Sequence, residues 1–327
     1  MVENNQTVGY LSQAAGESKA VTAPTPSRPG PGLRSPAPGY LAVAAAATLW
    51  GVAGAVAKRL FQGEVDALLL VDFRMTLAFL VLLLWLGCTR PALVRLPRRE
   101  WGPVALWGLG GMAAVQFTYL YAIETTNVAT AIFLQYLAPL LTALYVRVVR
   151  RQPLSPALLL ALTLALAGSG LLVLGGREGL RLSPLGVLSG LGSAVALSFY
   201  TLHGSQLVER LNSWTVLLWG LGIGSLLWHL ILPPWQALAQ VRSPWLWGYF
   251  LYIAVLATVV PFGLYLWGLR SLPPTPAVIM GTLEPVVGAA AAWVLVGEAL
   301  TPVQILGALA VLAGVTAAQL GNAAAQG

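Results

Sequence analysis

Residues 277–316 read AVIMGTLEPVVGAAAAWVLVGEALTPVQILGALAVLAGVT, a mostly apolar run that carries a carboxylate, Glu284, early in it. Glu284 lies about ten residues into a hydrophobic run that starts near Thr275, which at ~1.5 Å per residue places it ~14 Å deep in a ~30 Å hydrocarbon core. An ionisable group at that depth normally faces a cavity or a partner rather than lipid. Ala277, Gly281 and Gly288 share its helix face, so the stretch predicts a closely packed membrane helix with one functional stripe.

The same stretch has an earlier counterpart in the chain, 146 residues upstream. Segments rich in Leu, Ala and Gly align with each other at many offsets, whereas Trp, Tyr and Pro seldom coincide by chance. At this one offset the coinciding pairs are Trp101 and Trp247, Tyr119 and Tyr265, Ala131 and Ala277, Pro139 and Pro285, Pro156 and Pro302, and Gly168 and Gly314. The matches predict an internal duplication.

Composition indicates a membrane protein. The chain is 57% hydrophobic and 9% charged, with a mean hydropathy of +0.78, far from the balance of a soluble domain. A net charge of +7 would suggest nucleic acid in a soluble chain, but the basic residues lie between apolar runs and report topology, so no nucleic-acid partner is predicted. The single Cys88 excludes an internal disulfide and a second thiol for a metal site. We predict neither a metal nor a cofactor.

Ten apolar runs follow a segment over residues 1–39 that is rich in Pro, Gly and Ser. That segment has no apolar run of the kind a signal peptide needs, so it predicts a disordered tail. Each later run is near the ~20 residues that a spanning helix requires. We predict spans at 40–61, 67–87, 101–123, 127–148, 155–175, 183–206, 213–233, 245–268, 275–296 and 302–321, grouped as two five-helix repeats over 40–177 and 182–321.

The Lys and Arg residues in the connecting segments and at the ends of the spans predict the orientation. Twelve lie on the side of the N-terminus and five on the other side, which favours both termini in the cytoplasm. Because five is odd, the second repeat must enter the membrane inverted. The predicted fold is therefore an all-α polytopic membrane protein of ten transmembrane helices in two inverted five-helix repeats. Alternating-access transporters are built this way, with the substrate near the midplane between the copies.

The sequence resembles the EamA-type drug/metabolite transporter superfamily from about residue 40 to residue 320. The most specific piece is Leu283-Glu284-Pro285, followed by Gly297-Glu298, Gln304, Gly307 and Gly314. Gln135 to Pro139 resembles the counterpart in the first repeat, although Arg151-Gln152 replaces the Gly-Glu pair. The resemblance implies a ten-helix carrier in the plasma membrane that exports amino acids or other small metabolites. It leaves the substrate open.

Glu284 has two interpretations. It binds a proton or a substrate amine, or it satisfies backbone groups freed by Pro285, which lacks an N–H and bends the helix. The offset pairs Glu284 with Ala138 and Gly281 with Gln135, so each repeat contributes one polar group at a different place. A polar substrate bound in one orientation would need that asymmetry. The accompanying structural motif is Pro139, Pro285, Gly281 and Gly288.

Aromatic and amide side chains form a second set of candidates. Binding pockets are mostly apolar and aromatic with a few polar groups, although the same residues also serve as packing or interface anchors in membrane helices. With Glu284, the candidate cavity residues are Trp50, Gln116, Tyr119, Gln135, Tyr200, His203 and Tyr265. Arg74 is predicted to contact Asp72 locally or to reach the interface, and His229 is predicted at the interface.

A secondary carrier in the cell membrane is the leading function, with a small-molecule substrate, the lipid bilayer and a homodimer as predicted partners. No G-x-x-x-x-G-K-[ST] phosphate-binding loop and no H-E-x-x-H motif occur in the sequence, which argues against a P-loop ATPase and against a zinc hydrolase. An enzyme is not predicted. A passive facilitator, a channel and a non-transporting scaffold stay open, as does proton antiport through Glu284.

Overall fold

The computed structural model describes residues 36–60, 65–176, 179–241, 243–296 and 300–324, and within these ranges the chain is helical with no β-strand. The helices are α1 Ala37–Leu60, α2 Ala67–Thr89, α3 Trp101–Trp107, α4 Ala114–Thr125, α5 Val128–Gln135, α6 Ala138–Val148, α7 Pro156–Leu174, α8 Pro184–Arg210, α9 Ser213–Ile231, α10 Pro234–Gln240, α11 Pro244–Ala254, α12 Val260–Gly268, α13 Pro274–Gly281, α14 Leu283–Val296 and α15 Pro302–Ala324. Two π-helical segments, π1 Gly108–Ala113 and π2 Val255–Val259, join α3 to α4 and α11 to α12.

Seven helices in these ranges are long and apolar enough to cross a membrane, so the chain is a multi-pass membrane protein. They cover Ala67–Thr89, Val128–Val148, Pro156–Leu174, Pro184–Arg210, Ser213–Ile231, Pro244–Gly268 and Pro302–Gly321. Most of the predicted tail over 1–39 lies outside the described residues, but α1 already begins at Ala37. The Gly297-Glu298 pair also lies outside them.

Polar residues at the helix starts explain several boundaries. Ser155 and Ser183 accept hydrogen bonds from the backbone N–H groups of Leu158 at 3.2 Å and Gly186 at 3.1 Å. In both cases proline follows directly, where its missing N–H costs nothing. Asp66 caps α2 in the same way through the Leu69 N–H at 2.7 Å. The three capped helices begin within one residue of the predicted span starts at 67, 155 and 183.

Irregularities in the helices recur at the 146-residue offset. Shifted by this number, residues 109–113 of π1 fall on π2. The break between α5 and α6 lies at Tyr136 and Leu137, and the break between α13 and α14 lies at Thr282, the position equivalent to Tyr136. Proline follows each break, at Pro139 and Pro285, because proline cannot supply the N–H that would continue the preceding turn.

The helix packing is reciprocal under the same offset. Helix α1 packs on α12 while its counterpart α8 packs on α4, and α2 packs on π2 while α9 packs on π1. Helices α7 and α15 pack on each other through glycines. A Cβ on Gly168 would lie 2.6 Å from the Gly307 carbonyl oxygen, and one on Gly314 would lie 2.9 Å from that of Ala161. The offset relates Gly168 to Gly314 and Ala161 to Gly307, so the two contacts are equivalent. Both let the helix backbones approach closely.

Candidate functional site

A small cavity of about 60 Å³, which we call the central cavity, lies among α1, α2, α4, α11, π2 and α14. Its lining combines two groups of opposite charge with aromatic and aliphatic side chains. The lining residues are Trp50, Ala53, Leu70, Arg74, Tyr119, Leu120, Ile123, Ile253, Ala257 and Glu284. Three of the predicted candidates, Trp50, Tyr119 and Glu284, therefore share one cavity.

Glu284 enters the cavity from the first turn of α14, directly after the helix break. Pro285 cannot donate to the carbonyl four residues earlier, so the Gly281 carbonyl loses its helical partner. The hydroxyl of Tyr136 donates to this carbonyl at 3.3 Å and to Glu284 Oε2 at 3.0 Å. A side chain of the first broken helix thus satisfies the freed backbone group of the second. The Glu284 carboxylate accepts from a side chain rather than repairing the backbone itself.

Arg74 supplies the opposite charge. Its side chain is buried, and its Nε donates to Thr258 Oγ1 at 3.1 Å while Nη2 donates to the Ala257 carbonyl at 3.2 Å. Thr258 is itself held by the Ile253 carbonyl, five residues earlier in the π-helical turn, at 2.9 Å. The π2 segment therefore fixes the guanidinium at the cavity wall. Nη1 makes no hydrogen bond to any residue in the described ranges, which leaves a donor for a ligand.

Trp50 and Tyr119 complete the polar part of the wall. The buried Nε1 of Trp50 finds no acceptor among the described residues, although an indole N–H buried in a protein normally has one. The Trp50 ring packs edge-on to Phe262 at 4.9 Å and lies 5.7 Å from the Tyr265 ring. Tyr119 faces the cavity from α4. The wall thus presents an indole N–H without an acceptor among the described residues, in the same cavity as the acceptor Glu284.

Tyr265 and Tyr200 form a layer behind this wall. The Tyr265 hydroxyl lies 2.9 Å from Thr201 Oγ1, and its ring lies 6.0 Å from that of Tyr200. Tyr200 is fully buried and also contacts Trp107, with ring centroids 4.8 Å apart. Both side chains support the cavity rather than line it.

The predicted amides lie outside the cavity. Gln135 donates to Ser193 Oγ at 2.7 Å and so joins α5 to α8. Gln116 is buried one turn before Tyr119, and its Nε2 has no partner in the described part of the chain. Neither residue contributes to the cavity lining.

His203 belongs to a different feature. It stacks on Phe199 at 5.3 Å, and its Nε2 lies 3.1 Å from the Pro103 carbonyl oxygen. With Phe199 it lines a groove of about 350 Å³ between α6 and α8, where Tyr145 and Val195 are exposed. The structure therefore separates His203 from Glu284.

The two glycines of the structural motif differ in how closely they pack against neighbouring residues. A Cβ on Gly281 would meet nothing within 4 Å, so its role here is the carbonyl that Tyr136 binds. Gly288 faces Gly51 of α1, and a Cβ on Gly51 would lie 2.6 Å from the Glu284 carbonyl oxygen. The close approach of α1 to α14 thus depends on Gly51, which the sequence stripe did not indicate.

One expectation for a charged residue is wrong. Arg74 does not contact Asp72; its guanidinium turns to π2 and lines the central cavity. Asp72 instead lies 3.3 Å from His229, which joins α2 to α9, and the location of His229 at the membrane interface stays a prediction. Tyr136 was missed entirely. Its position beside Gln135 and opposite Thr282 in the offset alignment is the signal that could have found it.

Comparison with known proteins identifies the family. The profile of the EamA-like transporter family matches residues 37–174 and 184–318. The chain belongs to this family. It thereby belongs to the drug/metabolite transporter superfamily, as the residues around Glu284 and Pro285 predict.

The relatives are transporters. The uncharacterized inner membrane transporter YicL of Salmonella typhimurium is 30% identical over 284 residues, which cover 85% of this chain and 93% of that protein. The threonine/homoserine exporter RhtA of Escherichia coli K12 is 28% identical over 263 residues, or 79% of this chain and 83% of that protein. A crystal structure of a protein 21% identical superposes with a TM-score of 0.72 over 88% of this chain and 98% of that one, and shows the shared fold. A transporter function follows for this family member.

Proposed function

We propose that this transporter moves an amino acid or a closely related small metabolite outward across the plasma membrane by alternating access at the central cavity. One observation carries the proposal: Arg74 and Glu284, from different halves of the chain, line the same small cavity. An amino acid presents a carboxylate and an ammonium group. The free Nη1 of Arg74 suits the first, and the carboxylate of Glu284 suits the second.

The proposed architecture is ten transmembrane helices in two inverted repeats, over 40–177 and 182–321, with both termini in the cytoplasm. The recurrence of the π-helical segments and helix breaks at one offset supports the repeats. The exchange of the Gly168–Gly307 contact with the Gly314–Ala161 contact supports an approximate two-fold relation between them. Broken helices that meet at mid-depth are typical of transporter substrate sites.

The cavity volume supports alternating access over a permanently open pore. About 60 Å³ holds on the order of a few water molecules and is far below the roughly 300 Å³ of common ligand pockets. An amino acid therefore requires the two repeats to separate around the site. The exporter activity named for RhtA supports an amino acid as the substrate class and outward transport as the direction.

Counterflow in proteoliposomes tests the proposal. Vesicles are loaded with unlabelled amino acids or other metabolites, and uptake of labelled neutral amino acids is measured for the wild type and for Arg74→Gln and Glu284→Gln. His203→Gln, outside the cavity, is the matched control. We expect counterflow in the wild type and the control and its loss in both cavity variants. Undiminished counterflow in both cavity variants would remove the central cavity from transport.

The same experiment separates the alternatives. A channel-like passive facilitator would give net flux that is not accelerated by substrate on the opposite side, whereas an alternating-access carrier shows that acceleration. A scaffold would give no flux with any solute. The proposed homodimer is tested separately by native mass spectrometry of the purified protein, where a monomer alone would contradict it.

A further inference from the structure

A second pair of ionisable groups lies between α2 and α9, apart from the central cavity. Asp72 Oδ1 is 3.3 Å from Nε2 of His229, and their side chains are 3% and 22% exposed. The same Nε2 lies 3.0 Å from Thr76 Oγ1. Neither Asp72 nor His229 lines the central cavity. Ionisable groups inside a membrane bundle are costly and usually serve an ion or proton pathway.

The energy of this contact depends on protonation of the two side chains. A carboxylate oxygen and an unprotonated imidazole nitrogen both present lone pairs, so their contact is attractive only when one of them holds a proton. Asp72 Oδ1 is buried and has no well-formed hydrogen bond in the described part of the chain. With an imidazolium the pair is neutral overall; with a neutral imidazole the carboxylate charge stays uncompensated in an apolar seam, which is unfavourable. Proton loss should therefore loosen α2 from α9 at this end.

Other titratable groups do not replace this partner. The elements packed on α2 carry Tyr119, Tyr121, Glu124, Tyr249 and Tyr252, and Arg74 lies on α2 itself. The elements packed on α9 carry Tyr200, His203, Glu209, Arg210 and Tyr265. Among the described residues, only His229 comes within ion-pair distance of Asp72. Arg74 is committed to π2, and Glu124 Oε2 accepts from the Ala67 N–H at 3.2 Å.

The opposite end of the contact between α2 and α9 has apolar residues at the equivalent positions. At the 146-residue offset, Asp72 corresponds to Leu218 and His229 to Leu83, so the equivalent positions are apolar. Near that end Glu100 pairs with Arg210 at 3.5 Å and with Arg99 at 3.4 Å, and an arginine stays charged at any working pH. A histidine changes its charge between about pH 5 and 8. The two ends of the α2–α9 contact therefore differ: an imidazole faces a buried carboxylate at one end, and leucines occupy the equivalent positions at the other.

We propose that Asp72 and His229 form a proton-binding site that links protonation to the packing of α2 on α9, and so to which end of the bundle opens. The proton comes from solution through the partly exposed imidazole and returns to solution when the seam separates. The site would give the transporter a proton-coupling element distinct from Glu284. This inference rests on the alternating-access part of the proposed function.

A substrate-free distance measurement tests it. Cys88 is the single cysteine of the chain and is exposed at the end of α2. Arg270 is exposed after α12, at the same end of the bundle, since Trp85 contacts Trp214 at 5.3 Å and Ser213 donates to the Leu266 carbonyl at 3.2 Å. Spin labels on Cys88 and on Arg270→Cys report that end by electron double resonance. We expect their distance distribution to shift between about pH 5 and 8.

Asp72→Leu/His229→Leu reproduces the apolar pair of the opposite end and should abolish the shift. His203→Gln, which removes a histidine outside the central cavity, should keep it. Asp72→Asn/His229→Gln, which keeps polar groups without proton binding, serves if the leucine variant does not fold. A shift that persists in the substituted pairs, or no shift in the parent protein, would overturn the proposal. Because no substrate is present, this outcome is independent of whether counterflow of amino acids succeeds.

Discussion

The two π-helical segments occupy equivalent places in the two halves but hold different partners. Arg74 donates to the Thr258 hydroxyl and the Ala257 carbonyl of π2. The residue equivalent to Arg74 is Gly220, and there the ring of Trp107 fills the space, so that a Cβ on Gly220 would run into it. One half thus holds a guanidinium where the other holds an indole. The backbone is repeated while its polar chemistry is not.

The two broken helices show the same division. At one break Tyr136 reaches across to the Gly281 carbonyl and to Glu284. At the equivalent break Thr282 bonds to the Ile279 carbonyl of its own half-helix at 2.6 Å. A symmetric scaffold suits two alternating openings, whereas a substrate with distinct ends requires an asymmetric site. The comparison gives two predictions for substitutions at equivalent positions of the two halves. Substitutions that disturb backbone packing should lower stability by similar amounts, whereas substitutions of polar side chains should lower transport by different amounts.

The largest difference in transport rate is expected between substitutions of Arg74 and of Trp107. Arg74→Gln removes charge-assisted hydrogen bonds worth about 1.5–3 kcal/mol each, so we expect initial counterflow rates to fall on the order of 100-fold. Trp107→Phe removes the hydrogen bond from its Nε1 to the Tyr200 carbonyl, 2.9 Å long, together with part of a buried ring. The lost packing lowers stability, so rates are compared per folded protein. Rates should then stay within about threefold, since such bonds average about 0.6 kcal/mol in membrane proteins. A larger loss for Trp107→Phe would reverse the assignment of the functional half.

Substitutions of the equivalent glycines of α7 and α15 are expected to lower stability by nearly equal amounts. Gly168→Ala would bring a Cβ within 2.6 Å of backbone, and Gly314→Ala within 2.9 Å. Overpacking of this kind costs about 1–3 kcal/mol, so both variants should lower the thermal unfolding midpoint in detergent, Gly168→Ala slightly more. Gly102→Ala and Gly248→Ala, also related by the offset, are the controls because a Cβ there meets nothing within 4 Å. Equal midpoints for Gly168→Ala and Gly102→Ala would contradict the close α7–α15 contact.

The sequence predicted the described helix bounds well because they follow from local chemistry. Apolar runs of spanning length, Ser-Pro starts and proline-marked breaks each act within a few residues. The offset of 146 residues is also readable directly from matched Trp, Tyr and Pro residues. What the sequence did not show is π-helical geometry, because the extra residue in the turn has no composition of its own in Gly108–Ala113 or Val255–Val259.

The site was predicted only in part because its members come from distant segments. Glu284 stood out as a charge at mid-depth, and Trp50 and Tyr119 as central aromatics, and all three line the cavity. Arg74 was assigned to its sequence neighbour Asp72, since periodicity cannot show that π2 offers a hydroxyl and a carbonyl 184 and 183 residues away. His203 had the composition of a site residue but lies on a helix face toward another groove.

The smallest effect is expected at the helix breaks. Tyr136→Phe removes the hydrogen bonds to the Gly281 carbonyl and Glu284, at about 0.6 kcal/mol each, so we expect roughly a threefold to tenfold rise in the substrate concentration for half-maximal counterflow. Thr282→Val removes a bond inside one half-helix and should change this concentration less than about twofold. The loss at Tyr136 acts on the carboxylate that faces the substrate, whereas the loss at Thr282 acts on the backbone alone. If both variants moved the half-maximal concentration equally, the breaks would be functionally symmetric, and the orientation of the substrate would have to depend on Arg74 without help from Tyr136.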